Sequence, residues 1–387
     1  MLGLALEGGG AKGAYHIGAY RALTEEGLVF DGITGTSIGA LNGAMMAQGD
    51  FDALEEWWKS ADSSALFDVD QVKINQLLNR NIDRETMHYL LKKTRSIIGN
   101  RGLDTQRIRK VLHHFIDEDK LRASKVDFGL VTVALSFSNL KPLELYKEDI
   151  PEGQIVDYLM ASANLPVFKI EPVEGQYFLD GGFYDNCPIN LLIEKGYQEI
   201  FAIRTLGPGI SRSPIDENVK VTQIIPSENI GNVLNFDPKI IKKNIDMGYC
   251  DAKRVLSPLA GKRYYLKLPS QSIDYLNLFV NIDTASAESI AERLWLPKMY
   301  LKRMILEQIV PETVSFLDLG EDASYQDITL GVLEHLAESC GIPRFSIMNL
   351  DSFIAELKKA KRPSNKTFQS DKAFVLNLLA EALLKQL

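Results

Sequence analysis

The first half of the chain alternates short apolar runs with stretches in which apolar residues recur at helical spacing. Leu2–Leu6 reads as a buried strand, Ala14–Glu25 as a helix, Leu28–Ile33 as a second strand and Ile38–Ala47 as the helix behind it. Strands return at Val126–Leu135, Leu143–Tyr146, Tyr177–Leu179, Glu199–Thr205 and Val219–Ile225. Helices fall at Ile155–Ala163, Ile189–Lys195 and Pro238–Val255. This alternation predicts a three-layer α/β/α fold around a mostly parallel sheet. Residues 51–120 read as helical throughout, a block that fits either a cap over a site or further core helices. After a last strand at Arg263–Leu268 the remainder reads helical, and Lys358–Lys372 reads as an exposed basic loop. We therefore expect an α/β domain over residues 1–270 and a mainly helical region over 271–387, with a soft boundary near 270–280.

Two glycine-rich turns interrupt this pattern within the first 40 residues. Gly35-Thr36-Ser37-Ile38-Gly39 fits the G-x-S-x-G nucleophile elbow, in which glycines let a strand end turn sharply and lift a serine hydroxyl. The small residues Gly39, Ala40 and Gly43 let the following helix pack close behind it. Gly8-Gly9-Gly10-Ala11-Lys12-Gly13 can present a row of backbone N–H groups at a helix start, a site for developing negative charge. The same run also satisfies the dinucleotide fingerprint G-x-G-x-x-G. However, no clear ribose-binding acid ends the second strand, and the serine elbow stands there instead. The better role is an oxyanion hole from the amides of Gly9, Gly10 and Ala11, with Lys12 electrostatic or structural.

A nucleophilic serine needs a base. The five histidines are His16, His88, His113, His114 and His335. Only His335 follows the order of an α/β-hydrolase triad, and it lies on the polar side of a predicted helix. Asp180, at the end of a short apolar strand and followed by Gly181-Gly182, is the better candidate, because ligand chemistry gathers at the carboxyl ends of such strands. A free aspartate, with a pKa of about 3.9, is a weak base, so the site must raise it by burial.

Gly8–Gly13, Gly35–Gly39 and Asp180-Gly181-Gly182, in this order and spacing, resemble the patatin-like phospholipase family over roughly residues 1–205. Ala161-Ser162-Ala163-Asn164-Leu165-Pro166 is similar to the segment that precedes the family's aspartate. The resemblance implies a Ser–Asp dyad without histidine, carried by Ser37 and Asp180, an oxyanion hole in the glycine loop, and acyl-ester substrates, often phospholipids. Glu7 stands where many members have aspartate, a minor departure. The expected function is hydrolysis of lipid carboxylic esters through an acyl-enzyme, with no metal or cofactor required. The alternatives are a small-molecule esterase or thioesterase with the same dyad, and a regulatory protein with a vestigial site.

Composition changes this picture little. A net charge of −8 argues against nucleic acid as a partner. Cys187, Cys250 and Cys340 have neither disulfide-framework nor zinc-site spacing and fit a reducing compartment. No targeting segment or stretch of roughly 18 apolar residues is visible, which predicts a cytoplasmic protein. Trp295–Met304 and Ala373–Leu384 suit interfacial helices that touch membrane, although such patterns are more often core or subunit-packing helices.

Overall fold

The structure is a computed structural model that describes residues 1–61, 105–135, 140–166, 168–169, 171–320, 322–362 and 370–387. Expectations for residues 62–104, His88 among them, lie outside the described residues. The chain forms two compact units, Met1–Leu256 and Ser257–Leu387.

In the first unit the strands are β1 (Leu2–Leu6), β2 (Gly32–Thr36), β3 (Asp127–Leu135), β4 (Leu140–Tyr146), β5 (Tyr177–Asp180), β6 (Glu199–Ile203) and β7 (Lys220–Ile224). They form one sheet in the order β4-β3-β2-β1-β6-β7, with β5 also on β3. The pairs from β7 through β6, β1 and β2 to β3 are parallel, whereas β4 and β5 run antiparallel to β3. The long strand β3 changes partner along one edge. Asp127–Val131 pair with β2, ending in Thr36↔Val131, and Thr132–Leu135 pair with β5, beginning in Thr132↔Asp180. Because β4 occupies the other edge over the same residues, β2 and β5 meet end to end beside β3.

Helices α1 (Ala14–Glu25), α2 (Ile38–Ala47), α3 (Phe51–Ser60), α4 (Gln106–Phe115), α5 (Glu118–Ala123), α6 (Ile155–Ser162), α7 (Ile189–Glu194) and α8 (Pro238–Leu256) surround the sheet. The period-2 alternation of strand side chains supplies both faces. Gly43 of α2 packs onto Leu6, Ile33 and Phe128, whereas Gly3 of β1 faces Leu192 of α7 and Tyr197. The second strand begins later than its apolar run suggests. Val29 is 79% exposed, and the Asp31 carboxylate instead accepts the Leu2 N–H at 2.7 Å. Residues 28–30 therefore connect α1 to β2, and the Asp31 backbone, bonded to Leu2 and Asp127, marks where the pairing begins.

In the second unit, β8 (Tyr265–Lys267) pairs in parallel with β9 (Ile347–Asn349). The last predicted strand thus belongs with the helical region, and the units divide at Leu256 and Ser257, ahead of the expected 270–280. Around this ribbon lie α9 (Tyr275–Val280), α10 (Thr284–Arg293), α11 (Leu301–Met304), a π turn (Ile305–Ile309), α12 (Val310–Phe316), α13 (Tyr325–Ser339), α14 (Leu350–Lys359) and α15 (Asp371–Leu384). Helix α14 takes up the start of the segment expected to be a loop. Glu334 of α13, buried, accepts the amides of Lys262, Arg263 and Tyr264 at 2.8–3.2 Å and fixes the approach to β8.

The closest helix contact in the first unit is the crossing of α1 and α8. A Cβ on Gly18 would stand 1.8 Å from the Ile245 carbonyl oxygen, and one on Gly248 would stand 2.2 Å from that of Tyr15. Helix propensity alone favours Gly18→Ala by about 1 kcal/mol. We expect the opposite sign, a destabilisation of about 1–3 kcal/mol from forcing the two backbones apart. Chemical denaturation of Gly18→Ala checks it, and a stabilised variant would refute the close crossing.

Candidate active site

Strand β2 ends at Thr36, and Ser37 turns the chain into α2 with φ 56° and ψ −127°. A left-handed φ costs a non-glycine residue about 1–3 kcal/mol unless its surroundings enforce it. Here the Ser37 N–H donates to Ser162 Oγ at 3.0 Å, and that hydroxyl donates onward to the Val131 carbonyl at 2.7 Å. Behind the turn a Cβ on Gly39 would stand 2.2 Å from the Leu6 carbonyl oxygen, so only glycine lets α2 start this close to β1.

Asp180 closes β5. Its N–H donates to the Asn164 carbonyl at 2.9 Å, and its Oδ1 accepts the Gly182 N–H at 2.8 Å. Ser162 and Asn164, two residues apart, thus hold the backbone of the serine and of the aspartate respectively. Burial raises the Asp180 pKa to about 6, opposed by the Gly182 amide and the nearby Ser37 hydroxyl. Its Oδ2 is buried with no donor in full hydrogen-bond geometry.

The glycine loop lies alongside. Glu7, 1% exposed, accepts Arg204 Nη2 on Oε1 at 2.9 Å and the amides of Thr205 and Leu206 on Oε2 at 2.6 and 2.9 Å. Thr205 Oγ1 donates to the Gly8 carbonyl at 2.5 Å, and Lys12 Nζ donates to the Leu206 carbonyl at 3.0 Å. Lys12 is thereby tied to the segment after β6, its pKa lowered by burial against the opposing charge of Glu7. The Gly8 amide donates to the Asn186 carbonyl, the Ala11 amide to that of Val233 and the Lys12 amide to that of Gly9. Among the described residues, the amides of Gly9 and Gly10 donate to no protein group, which leaves these two, and not Ala11, available to a ligand.

The patatin-like phospholipase family model matches residues 4–193, the span that contains the glycine loop, the elbow and the aspartate. That part of the chain belongs to the patatin-like phospholipase family. Lysophospholipase NTE1 of Mycosarcoma maydis is 26% identical over 205 residues, 52% of this chain and 9% of that protein. Patatin-like phospholipase domain-containing protein 6 of Homo sapiens is 25% identical over 210 residues, 52% of this chain and 13% of that protein. The chain thus spans a small fraction of the length of these curated relatives. VipD from Legionella pneumophila aligns over 99% of this chain and 91% of its own, with 15% identity and a TM-score of 0.40.

In the patatin-like domain, sequence reasoning passed over Asn186. It is buried, its N–H donates to the Ile210 carbonyl at 2.6 Å, and its side chain packs against Gly8, Gly182 and Gly209. It therefore keys the glycine loop to the turn after Asp180, and its place six residues beyond that aspartate was the available signal. The histidines take other positions. His16 is buried, with Nδ1 3.2 Å from Asn42 Nδ2, and desolvation lowers its pKa to about 3. Because Trp58 Nε1 donates to Asn42 Oδ1 at 3.0 Å, the Asn42 amide nitrogen faces His16 and the imidazole is neutral. His113 and His114 are exposed on α4, and His335 belongs to α13 of the second unit.

Ser37 opens onto an apolar pocket that is partly open to solvent. Its walls come from α2, α3, α4, α6 and the segment Val233–Phe236, and among the described residues the polar side chains that line it are those of Ser37, Asn42 and Thr105. Such a site suits an extended apolar chain joined to one reactive polar group.

Burial of Asp180 has a thermodynamic consequence. Its neutral form is favoured in the folded state, so this contribution to stability is complete below pH of about 4 and is lost as pH rises through about 6. Asp180→Asn removes the penalty. We expect the variant to exceed the wild type by up to about 3 kcal/mol at pH 8, with the gap closing at pH 4. Denaturation at both pH values measures this, and a variant less stable at pH 8 than at pH 4 relative to wild type would contradict the raised pKa.

Proposed function

We propose that this chain is a serine acyl hydrolase that cleaves lipid carboxylic esters, with Ser37 as nucleophile and Asp180 as proton acceptor. The observation that carries this reading is the convergence of Ser37, Asp180 and the two unused amides of Gly9 and Gly10 at the head of an apolar pocket. Ser37 Oγ attacks the ester carbonyl while its proton passes to Asp180. The Gly9 and Gly10 amides receive the oxyanion, each such donor being worth on the order of 3 kcal/mol in the transition state. The protonated Asp180 then gives its proton to the departing alkoxide, leaving an acyl ester on Ser37. Water adds to that ester by the same route in reverse and releases the carboxylic acid. A carboxyl with a pKa of about 6 remains ionised at neutral pH yet is a stronger base than a free aspartate.

A fluorophosphonate probe should label the wild-type chain and leave Ser37→Ala unlabelled, with ester turnover falling about a thousandfold or more. Equal labelling of both would remove the serine assignment. The base has its own signature. Activity should rise with pH through about 6 as Asp180 ionises and then level off, and Asp180→Asn should lose turnover by about a thousandfold. A wild-type profile flat from pH 4 to 8 would reject Asp180 as the base. Comparing phospholipids with short nitrophenyl esters separates a lipase from a small-molecule esterase.

Contact with a lipid surface belongs to the same proposal. Trp295 is 93% exposed with φ 56°, Tyr300 is 84% exposed, and Lys298 and Lys302 are exposed beside them. Exposed aromatics flanked by cations suit an anionic membrane interface. Helix α15 does not serve this end, because Val375, Leu376, Leu379 and Leu383 are spent in the core of the second unit. Flotation with phosphatidylserine-containing vesicles should carry the wild-type chain, and replacing Trp295 and Tyr300 together by alanine should weaken binding by about tenfold. Unchanged flotation would dismiss this surface. Among the described residues no helix is long and apolar enough to cross a membrane. The cysteines are free, which supports a reducing, cytoplasmic setting.

A further inference from the structure

The pocket beneath Ser37 has two unlike ends. Along α2 the lining residues Ser37, Leu41 and Met45 recur at every fourth position and form one stripe down a single helix face. Eight residues at a rise of 1.5 Å put Met45 about 12 Å from the nucleophile along the helix axis. Ile108, Leu112 and Phe115 form a matching stripe on α4. At the serine end the walls are Gly10, Val233 and Ala163, beside the glycine loop and the Ser162 hydroxyl that holds the elbow.

Near the other end, hydrogen bonds join the helices that carry Met45 and Phe115. Gln48, the residue that ends α2 and is 4% exposed, donates from Nε2 to the Phe115 carbonyl at 2.7 Å and to the Asp50 carboxylate at 2.6 Å. Its Oε1 accepts the Asp117 N–H at 3.2 Å. Beside it Ser124 Oγ donates to the Ala47 carbonyl at 2.6 Å, and Lys120 pairs with Asp50. These bonds stitch the end of α4 and the whole of α5 onto the end of α2, immediately behind Met45 and Phe115. A hydrocarbon chain that pushed past those two side chains would have to leave buried polar groups unpaired, which costs far more than the added methylene contact returns.

We propose that Met45 and Phe115 are the chain-length gauge of the pocket, backed by the Gln48 stitch, so that the site takes acyl chains of medium length and rejects longer ones. The proposal rests on the acyl-hydrolase reading of Ser37 and adds the substrate class within it. Met45 is buried and unbranched, so its size sets the depth directly.

The test measures kcat/KM of the full chain for nitrophenyl butanoate, octanoate, dodecanoate and hexadecanoate. The wild-type preference should peak at octanoate or dodecanoate and fall at hexadecanoate. Met45→Ala should move the optimum toward longer chains, with up to about a fourfold gain in relative kcat/KM for each methylene newly admitted. Met45→Trp should move it toward butanoate. Phe115→Leu, at a half-buried position that tolerates a smaller change, should lengthen the preference in the same direction and serves if Met45→Ala does not fold. An optimum that stays fixed in all the folded variants, with each still taking the fluorophosphonate on Ser37, overturns the gauge and leaves the hydrolase reading standing. A wild-type chain that takes no probe and hydrolyses none of the esters overturns that reading, and the gauge with it.

Discussion

The geometry of the candidate site depends on the register of one strand. Strand β3 pairs with β2 as far as Thr36↔Val131 and with β5 from Thr132↔Asp180 onward, so consecutive rungs of a single ladder carry the elbow and the aspartate. In a sheet, a slip of one residue turns every side chain to the opposite face. Such a slip would separate Ser37 from Asp180 even if both strands survived. Adjacent Leu130 and Val131 point to opposite faces and both are fully buried, so burial alone does not choose the register. The Thr132 hydroxyl, which donates to the Leu179 carbonyl at 2.9 Å, pins β5 on β3.

Around that ladder the local chemistry is unfavourable in isolation and is held by neighbours. Ser37 has a left-handed backbone, Asp180 is a buried carboxyl, and among the described residues two glycine amides stand without acceptors. Each would relax if free to do so. Ser162, Asn164, Asn186 and the Glu7 carboxylate oppose that relaxation by bonding the backbones on either side of it. The extra methylene of Glu7 over the family's usual aspartate reaches two amides and Arg204 together, so the departure has a structural use at the base of the glycine loop.

The apolar pocket follows from the same arrangement. Helix α2 begins at Ser37 and shows one face to the pocket for two turns, so the helix that positions the serine also forms a pocket wall. Besides Asn42 in mid-helix, which bonds Gly13, His16 and Trp58, polar bonds hold the two ends of α2 at Ser37 and at Gln48, where unpaired backbone groups need partners in any case.

Much of this was legible in the sequence. Local pattern determined β1, α1 and α2, because a buried strand and a helix with one apolar face leave a periodic trace. The glycine turns announced the elbow and the loop, because few other residues survive such close backbone approach or a positive φ. The second strand was misread, since an exposed Val29 and a pairing Ile33 look alike in a run of apolar residues. The unit boundary was set by the pairing of β8 with β9, residues about eighty positions apart that share no local signal. The membrane-like pattern of α15 reports burial, and a sequence cannot tell a core from a bilayer when both are apolar. The sequence by itself singled out Ser37, Asp180 and the glycine loop as the candidate site. Only the tertiary structure decided that, among the described residues, Gly9 and Gly10 and not Ala11 keep their amides open. That depends on a distant group, the Val233 carbonyl, which takes up the Ala11 N–H.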